Sequence, residues 1–147
     1  LTKHYLVVHQ VGQNFIDHFE RMQSIDYLPL AFVGREMIDL YKLASVVISR
    51  SGAGTVAELM AVGKRSIFIP LKGAQKNEQY FNAVEAHDRL GSLVVGEDEL
   101  SQRNLKELLE GFSQRAGDNC NRNVTSNQPQ GDDATTVLVG AIMKRLS

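Results

Sequence analysis

Apolar residues fall into two alternating rhythms along this chain. Contiguous, largely apolar runs at Tyr5–His9, Leu28–Val33, Val46–Ser49, Ser66–Ile69 and Leu93–Val95 predict five strands. Between them the spacing turns helical. Phe15, Ile16, Phe19 and Met22 predict a first helix, and Met37, Ile38, Leu40, Tyr41 and Leu43 a short second one. A third helix is expected from Thr55 to Val62, closed by Gly63, and a fourth from about Asn77 to Leu90, closed by Gly91. A fifth opens at Ser101 and is amphipathic through Leu105, Leu108 and Leu109.

Strands that alternate with helices, each too apolar to keep one face wet, imply a parallel sheet covered on both sides. The fold class expected is therefore α/β, a Rossmann-like sheet with helices on both faces. Residues 1–112 are expected to form that domain. From Gly111 to Asp132 the chain is rich in Gln, Asn, Gly and Ser without periodicity, so 113–132 reads as a loose polar connection. A last helix is expected over 133–147. In such sheets ligands bind beyond the carboxyl ends of the strands. The loops after Val33, Ser49 and Ile69 all lie on that edge.

Composition narrows the field. At 147 residues the chain suits one domain, and its net charge of −1, with no basic block, does not indicate a nucleic-acid partner. The one cysteine, Cys120, can form no internal disulfide, which fits a reducing compartment. Val137 to Met143 is too short an apolar run to span a bilayer. No signal-peptide pattern opens the chain. The chain starts at Leu1, close to a strand and without an initiator Met, so it reads as a piece of a longer protein.

The richest segment is Ser49-Arg50-Ser51-Gly52-Ala53-Gly54-Thr55-Val56-Ala57-Glu58. A strand ends in a turn of small residues and a helix opens directly behind it, with Thr55 expected as its cap. Glycines let a ligand approach the backbone, and the first free N–H groups of a helix attract an anion. A capping box between Thr55 and Glu58 explains those two residues without a ligand. It leaves Ser51, Gly52, Ala53 and Gly54 unexplained, and a phosphate-binding loop accounts for them.

The identity of the phosphate compound is a separate matter. Gly52-x-Gly54-x-x-Ala57 formally matches the dinucleotide fingerprint. That fingerprint belongs on the first strand of its unit, and an acidic residue should close the next strand. Here two strand–helix units come earlier, and the later region reads Pro70-Leu71-Lys72-Gly73-Ala74-Gln75. A Walker loop is excluded because no Lys-Ser or Lys-Thr follows the glycines. The Asp-x-Asp pair of metal-dependent sugar transferases is absent.

Downstream, Glu78, Gln79 and Asn82 cluster at a helix start on the ligand edge, where amides and carboxylates suit sugar hydroxyls; a solvated helix end is the plain alternative. Tyr80, Phe81 and Val84 read as core. His9-Gln10 closes the first strand on the same edge and can line the site. His4, His18 and His87 show no metal-ligand spacing, and no nucleophilic triad can be assembled.

Taken together, His9-Gln10-x-Gly12, Phe32-Val33, the Ser49-to-Leu59 run, Gly63-Lys64, Ile69-Pro70-Leu71 and Gln79-Tyr80-Phe81-Asn82-Ala83 resemble the carboxyl-terminal domain of the bacterial MurG family. These are N-acetylglucosaminyltransferases that complete lipid II for peptidoglycan. The resemblance covers most of Tyr5 to Leu109; the tail matches poorly, although Asp133-Ala134-Thr135 is similar to the family's ending ahead of a last helix.

The resemblance implies the carboxyl-terminal half of a GT-B glycosyltransferase, lacking that domain's first strand and Gly-rich loop. It implies UDP-N-acetylglucosamine as donor, an amino-terminal domain for the undecaprenyl-linked acceptor, and no cofactor or obligatory metal. The intact enzyme would be cytoplasmic and peripheral on the inner face of the cell membrane. Carried over by position, Val33 would meet the uracil through its backbone beside Phe32. Arg50, Ser51 and Gly52 would bind the donor along the same loop, and Ala53, Gly54 and Thr55 would hold the diphosphate. Glu58 would accept both ribose hydroxyls, and Glu78, Gln79 and Asn82 would lie at the sugar. Glu78 stands where some members carry Gln, and Gly54 where some carry Leu. No catalytic residue is expected in this chain, which should bind donor but not transfer alone. A separate UDP-sugar-binding subunit that needs a partner chain is the alternative, with a dinucleotide-binding domain behind it.

Overall fold

The computed structural model describes residues 5–73, 77–102, 105–117 and 136–140. They form one parallel sheet with helices on both faces. Its strands are β1 (Leu6–Gln10), β2 (Tyr27–Leu30), β3 (Val46–Ser49), β4 (Ser66–Phe68), β5 (Leu93–Val94) and β6 (Thr136–Gly140), in spatial order β2-β1-β6-β3-β4-β5. The helices are α1 (Ile16–Glu20), α2 (Met37–Leu43), α3 (Ala53–Ala61), α4 (Glu78–Leu90), α5 (Glu97–Gln102) and α6 (Leu105–Gly117).

Alternation along the strands sorts the core into two layers. Val7, Ile48 and Ile67 face one side, where Leu108, Leu109 and Phe112 of α6 cover them. Val8, Val47 and Phe68 face the other, under Tyr41 of α2, Val56 and Leu59 of α3, and Ala83 and Ala86 of α4. Side chains as fully enclosed as Leu59 and Leu109 each stabilise the fold by about 1.5–3 kcal/mol.

Several expected boundaries move. The second strand stops at Leu30 rather than Val33, and the fifth at Val94. The expected helix from Ser101 is replaced by α5, which begins at Glu97, and α6, which runs on to Gly117. The loose connection set at 113–132 therefore begins too early, because α6 continues through Gly117.

The largest correction concerns the tail. A helix was expected over 133–147, and Thr136–Gly140 is instead a strand. It lies parallel between β1 and β3, with Leu138 opposite Val8 on one side and Val47 on the other. Contiguous β-branched residues suit such a site, and both edges of the segment find ladder partners. In a doubly wound sheet of order 3-2-1-4-5-6 the central place belongs to the first strand. With β1 and β3 in the second and fourth places, β6 fills it. The rest of the expected helix, 133–135 and 141–147, lies outside the described residues, as does most of the connection.

Candidate functional site

The loops after β2, β3 and β4 converge on the carboxyl edge of the sheet, as the topology requires. From Ser49 the chain runs extended through Gly52, whose φ of −62° and ψ of 146° make it the cap of α3. Val56 N–H makes the first helical bond, to the Gly52 carbonyl at 3.0 Å. Thr55 is therefore the third residue of the helix and not its cap, and Thr55 with Glu58 forms no capping box. The Thr-x-x-Glu pattern misled because an extended glycine lets the helix open three residues sooner.

No side chain caps α3, and no acidic residue sits in its first turn. The N–H groups of Ala53, Gly54 and Thr55 belong to the turn that has no helical acceptors. Ala53 and Gly54 are exposed and Thr55 is half-buried. A Cβ added at Gly52 or Gly54 would meet no atom within 4 Å. The helix end is thus open in front, with its partial positive charge presented to solvent.

Around this opening the polar side chains lock the loops together. Ser51, fully buried, donates its hydroxyl to the Gln79 carbonyl at 2.7 Å, and Asn82 Nδ2 donates to the Ser51 carbonyl at 3.1 Å. Gln79 Oε1 accepts the Leu71 N–H at 2.9 Å, which leaves its NH2 as the end able to donate elsewhere. Arg50 donates to the carbonyls of Ile69 at 3.0 Å and Pro70 at 3.5 Å and pairs with Glu97 at 2.5 Å. Arg50, Ser51 and Asn82 thus work on the protein's own loops.

The remaining expected residues lie at the rim. Phe32 is 76% exposed. Val33 donates its N–H to Gln10 Oε1 at 3.0 Å, so its carbonyl is the backbone group left for a base. Glu78 opens α4 behind Asn77, which caps it in the left-handed region at φ 62°. Glu58 is exposed. Burial, then the charge and hydrogen bonding of Glu58, push the Tyr41 phenol up to about 12.

Tyr80 and Phe81 were expected in the core and are exposed, with their rings edge to face at 6.0 Å. The buried face of α4 is carried by Ala83 and Ala86, small enough for close packing on α3. His9 is buried beneath Phe19, with Nδ1 at 2.8 Å from the Tyr27 hydroxyl, and burial lowers its pKa. It packs inside while its neighbour Gln10 reaches the rim. Sequence reasoning gave no role to Glu97. Among the described residues no three His, Cys, Asp or Glu side chains come together as a metal site. A cavity of about 320 Å³ lined by Arg65, His87 and Phe112 lies by the start of β5, away from this edge.

Residues 1–134 match the model of the Glycosyltransferase family 28 C-terminal domain. The chain belongs to that family. Among the family 28 relatives is a protein of Treponema denticola named UDP-N-acetylglucosamine--N-acetylmuramyl-(pentapeptide) pyrophosphoryl-undecaprenol N-acetylglucosamine transferase. It is 36% identical over 135 residues, covering 81% of this chain and 34% of that protein. Proteins of the same name from Christiangramia forsetii and Clostridium perfringens are 38% identical over 98 residues and 36% over 112. These cover 66% and 75% of this chain, and 26% and 31% of the relatives. The family 28 chain thus spans about a third of the length of the curated relatives it matches. No solved structure matches it. Among the described residues no helix is long and apolar enough to cross a membrane.

Proposed function

We propose that this chain is the donor-binding part of an inverting glycosyltransferase. It would take N-acetylglucosamine from UDP-N-acetylglucosamine for transfer to an undecaprenyl-pyrophosphoryl-muramyl-pentapeptide, in peptidoglycan synthesis. One observation carries the reading: the uncapped start of α3, open in front of Gly52 and Gly54, with the Glu58 carboxylate one turn further on. The names of the family 28 relatives supply the donor and the acceptor.

In this reading the diphosphate lies against the N–H groups of Ala53, Gly54 and Thr55. Uracil meets the Val33 carbonyl beside Phe32. The ribose diol donates to Glu58, and the Gln79 NH2 donates to the sugar, with Glu78 at the same helix end. The acceptor oxygen attacks the anomeric carbon from the far side and the bond to UDP breaks, inverting configuration. The negative charge that grows on the departing diphosphate is met by fixed helix dipoles, which need no reorganisation during the reaction. Acceptor binding and its activating base belong to another part of the protein, which would work peripherally at the inner face of the cell membrane.

Calorimetric titration of the chain with UDP-N-acetylglucosamine, UDP and NADH tests the proposal. Binding of the two uridine ligands with NADH inert is expected. Binding of NADH alone would return the glycine loop to the dinucleotide reading.

A further inference from the structure

We infer that Gln10 selects uracil over cytosine at this site, by holding the Val33 N–H and leaving the loop an acceptor beside a donor. The assignment rests on the donor-site reading and adds a specificity-determining residue to it. Strand β1 ends at Gln10, opposite Leu30 at the end of β2, and the Leu30 carbonyl accepts the Val11 N–H at 2.9 Å. One residue further on, the chain turns at Gly12, whose φ is 86°. The loop after β2 runs past Leu30 outside the sheet, so Val33 meets no ladder partner there. Gln10 takes over with its side chain: Oε1 accepts the Val33 N–H at 3.0 Å across 23 residues.

That bond sets the polarity of the rim. A backbone residue with both groups free offers a donor and an acceptor, and can pair with either pyrimidine. Here the donor is already taken, and only the Val33 carbonyl remains. The bond also orients the Gln10 amide, because an oxygen that accepts from Val33 leaves the NH2 end as a donor. Among the described residues nothing bonds to that NH2 or to the Val33 carbonyl. Gln10 and Val33 are both half-buried, next to the exposed Phe32 ring. Uracil presents the complement of this pair, an N3–H donor flanked by the O4 acceptor. Cytosine reverses both groups. Its bare N3 would face the Val33 carbonyl and its amino group the Gln10 NH2, two like pairs with nothing satisfied.

Calorimetric titration of the full chain with UDP and with CDP reads this out. The unaltered protein is expected to prefer UDP by about tenfold or more, since two hydrogen bonds are exchanged for two mismatches. Gln10→Met removes clamp and donor at similar size. It should shrink the preference by about threefold or more and speed exchange of the Val33 amide. Gln10→Glu keeps an acceptor for Val33 but replaces the donor, so that amide stays protected while UDP weakens and CDP gains. An undiminished preference in either variant, or an equal loss for both ligands, overturns the role of Gln10. Tighter UDP binding by Gln10→Met would make the side chain a plug and overturn it too. If the unaltered protein binds both nucleotides equally, the base selection falls and the diphosphate reading stands. If it binds neither, the donor-site reading falls and takes Gln10 with it.

Should neither variant fold, the side-chain amide of Gln10 gives a second readout in the unaltered protein. Its NH2 proton resonances should move downfield on adding UDP, a shift that CDP does not produce. Equal shifts with the two nucleotides, or none with UDP, would overturn the assignment.

Discussion

Arg50 and Glu97 meet at 2.5 Å, and the same guanidinium holds the carbonyls of Ile69 and Pro70. One side chain thus ties the loops after β3 and β4 to the start of α5, with 17% of Arg50 and 29% of Glu97 side-chain surface exposed. Arg50→Met is expected to cost about 1–3 kcal/mol by leaving partly buried acceptors without a donor. A urea titration would show it as a lower midpoint at unchanged slope. UDP affinity measured well below that midpoint should change little, since the guanidinium is already spent on the protein.

Gln79 makes the opposite case. Its oxygen is held by Leu71 N–H, so its NH2 is the group offered outward. Gln79→Met should leave UDP affinity unchanged and weaken UDP-N-acetylglucosamine by about 0.5–1.5 kcal/mol, the usual value of one neutral hydrogen bond. Parallel calorimetric titrations separate the two. An equal loss for both ligands would place Gln79 at the nucleotide instead.

The strands before residue 96 were legible because short contiguous apolar runs between turn residues advertise a two-sided sheet wherever they occur. The opening of α3 was misread by three residues. Thr55 and Glu58 fit a local capping pattern, whereas the real cap, Gly52, owes its place to an extended backbone that carries no side-chain signal. Tyr80 and Phe81 were assigned to the core on hydrophobicity, although the close approach of α4 to α3 selects the alanines. The use of Arg50, Ser51 and Asn82 as loop fasteners was not readable at all. Each bond spans 19 to 47 residues and exists only after the loops converge. β6 was lost for a related reason. Its pairing joins residues about 90 and 130 positions apart, and Asp133 ahead of apolar residues reads locally as the start of a helix.

Acid should weaken the fold through His9. Burial lowers its pKa below the ordinary 6.5, so between the two values the unfolded chain binds the proton that the folded chain refuses. The stability contributed by the neutral ring is complete above 6.5 and is lost as pH falls from there through the folded value. Urea midpoints measured from pH 7.5 down to 5 should therefore fall, and His9→Phe should flatten that slope while leaving the Phe19 contact in place. A slope that survives the substitution would assign the effect to other groups.

The sharpest test of the architecture is at Leu138. Strand β1 pairs with β2 and β6, and β3 pairs with β4 and β6, so among the described residues β6 is the only ladder joining the two halves of the sheet. Proline is tolerated on an edge, as Pro29 in the edge strand β2 shows. At Leu138, between Val8 and Val47, it would delete a ladder N–H and press its ring on the chain behind it. The missing bond alone costs about 1–3 kcal/mol, and the ring adds to that. Leu138→Pro should therefore abolish the cooperative thermal transition, or lower it far more than proline at an edge position would. Amide exchange should rise together in β1 and β3, since each loses the same neighbour. A variant that melts like the unaltered chain, with β1 and β3 still protected, would mean that Thr136–Gly140 does not hold the centre of the sheet.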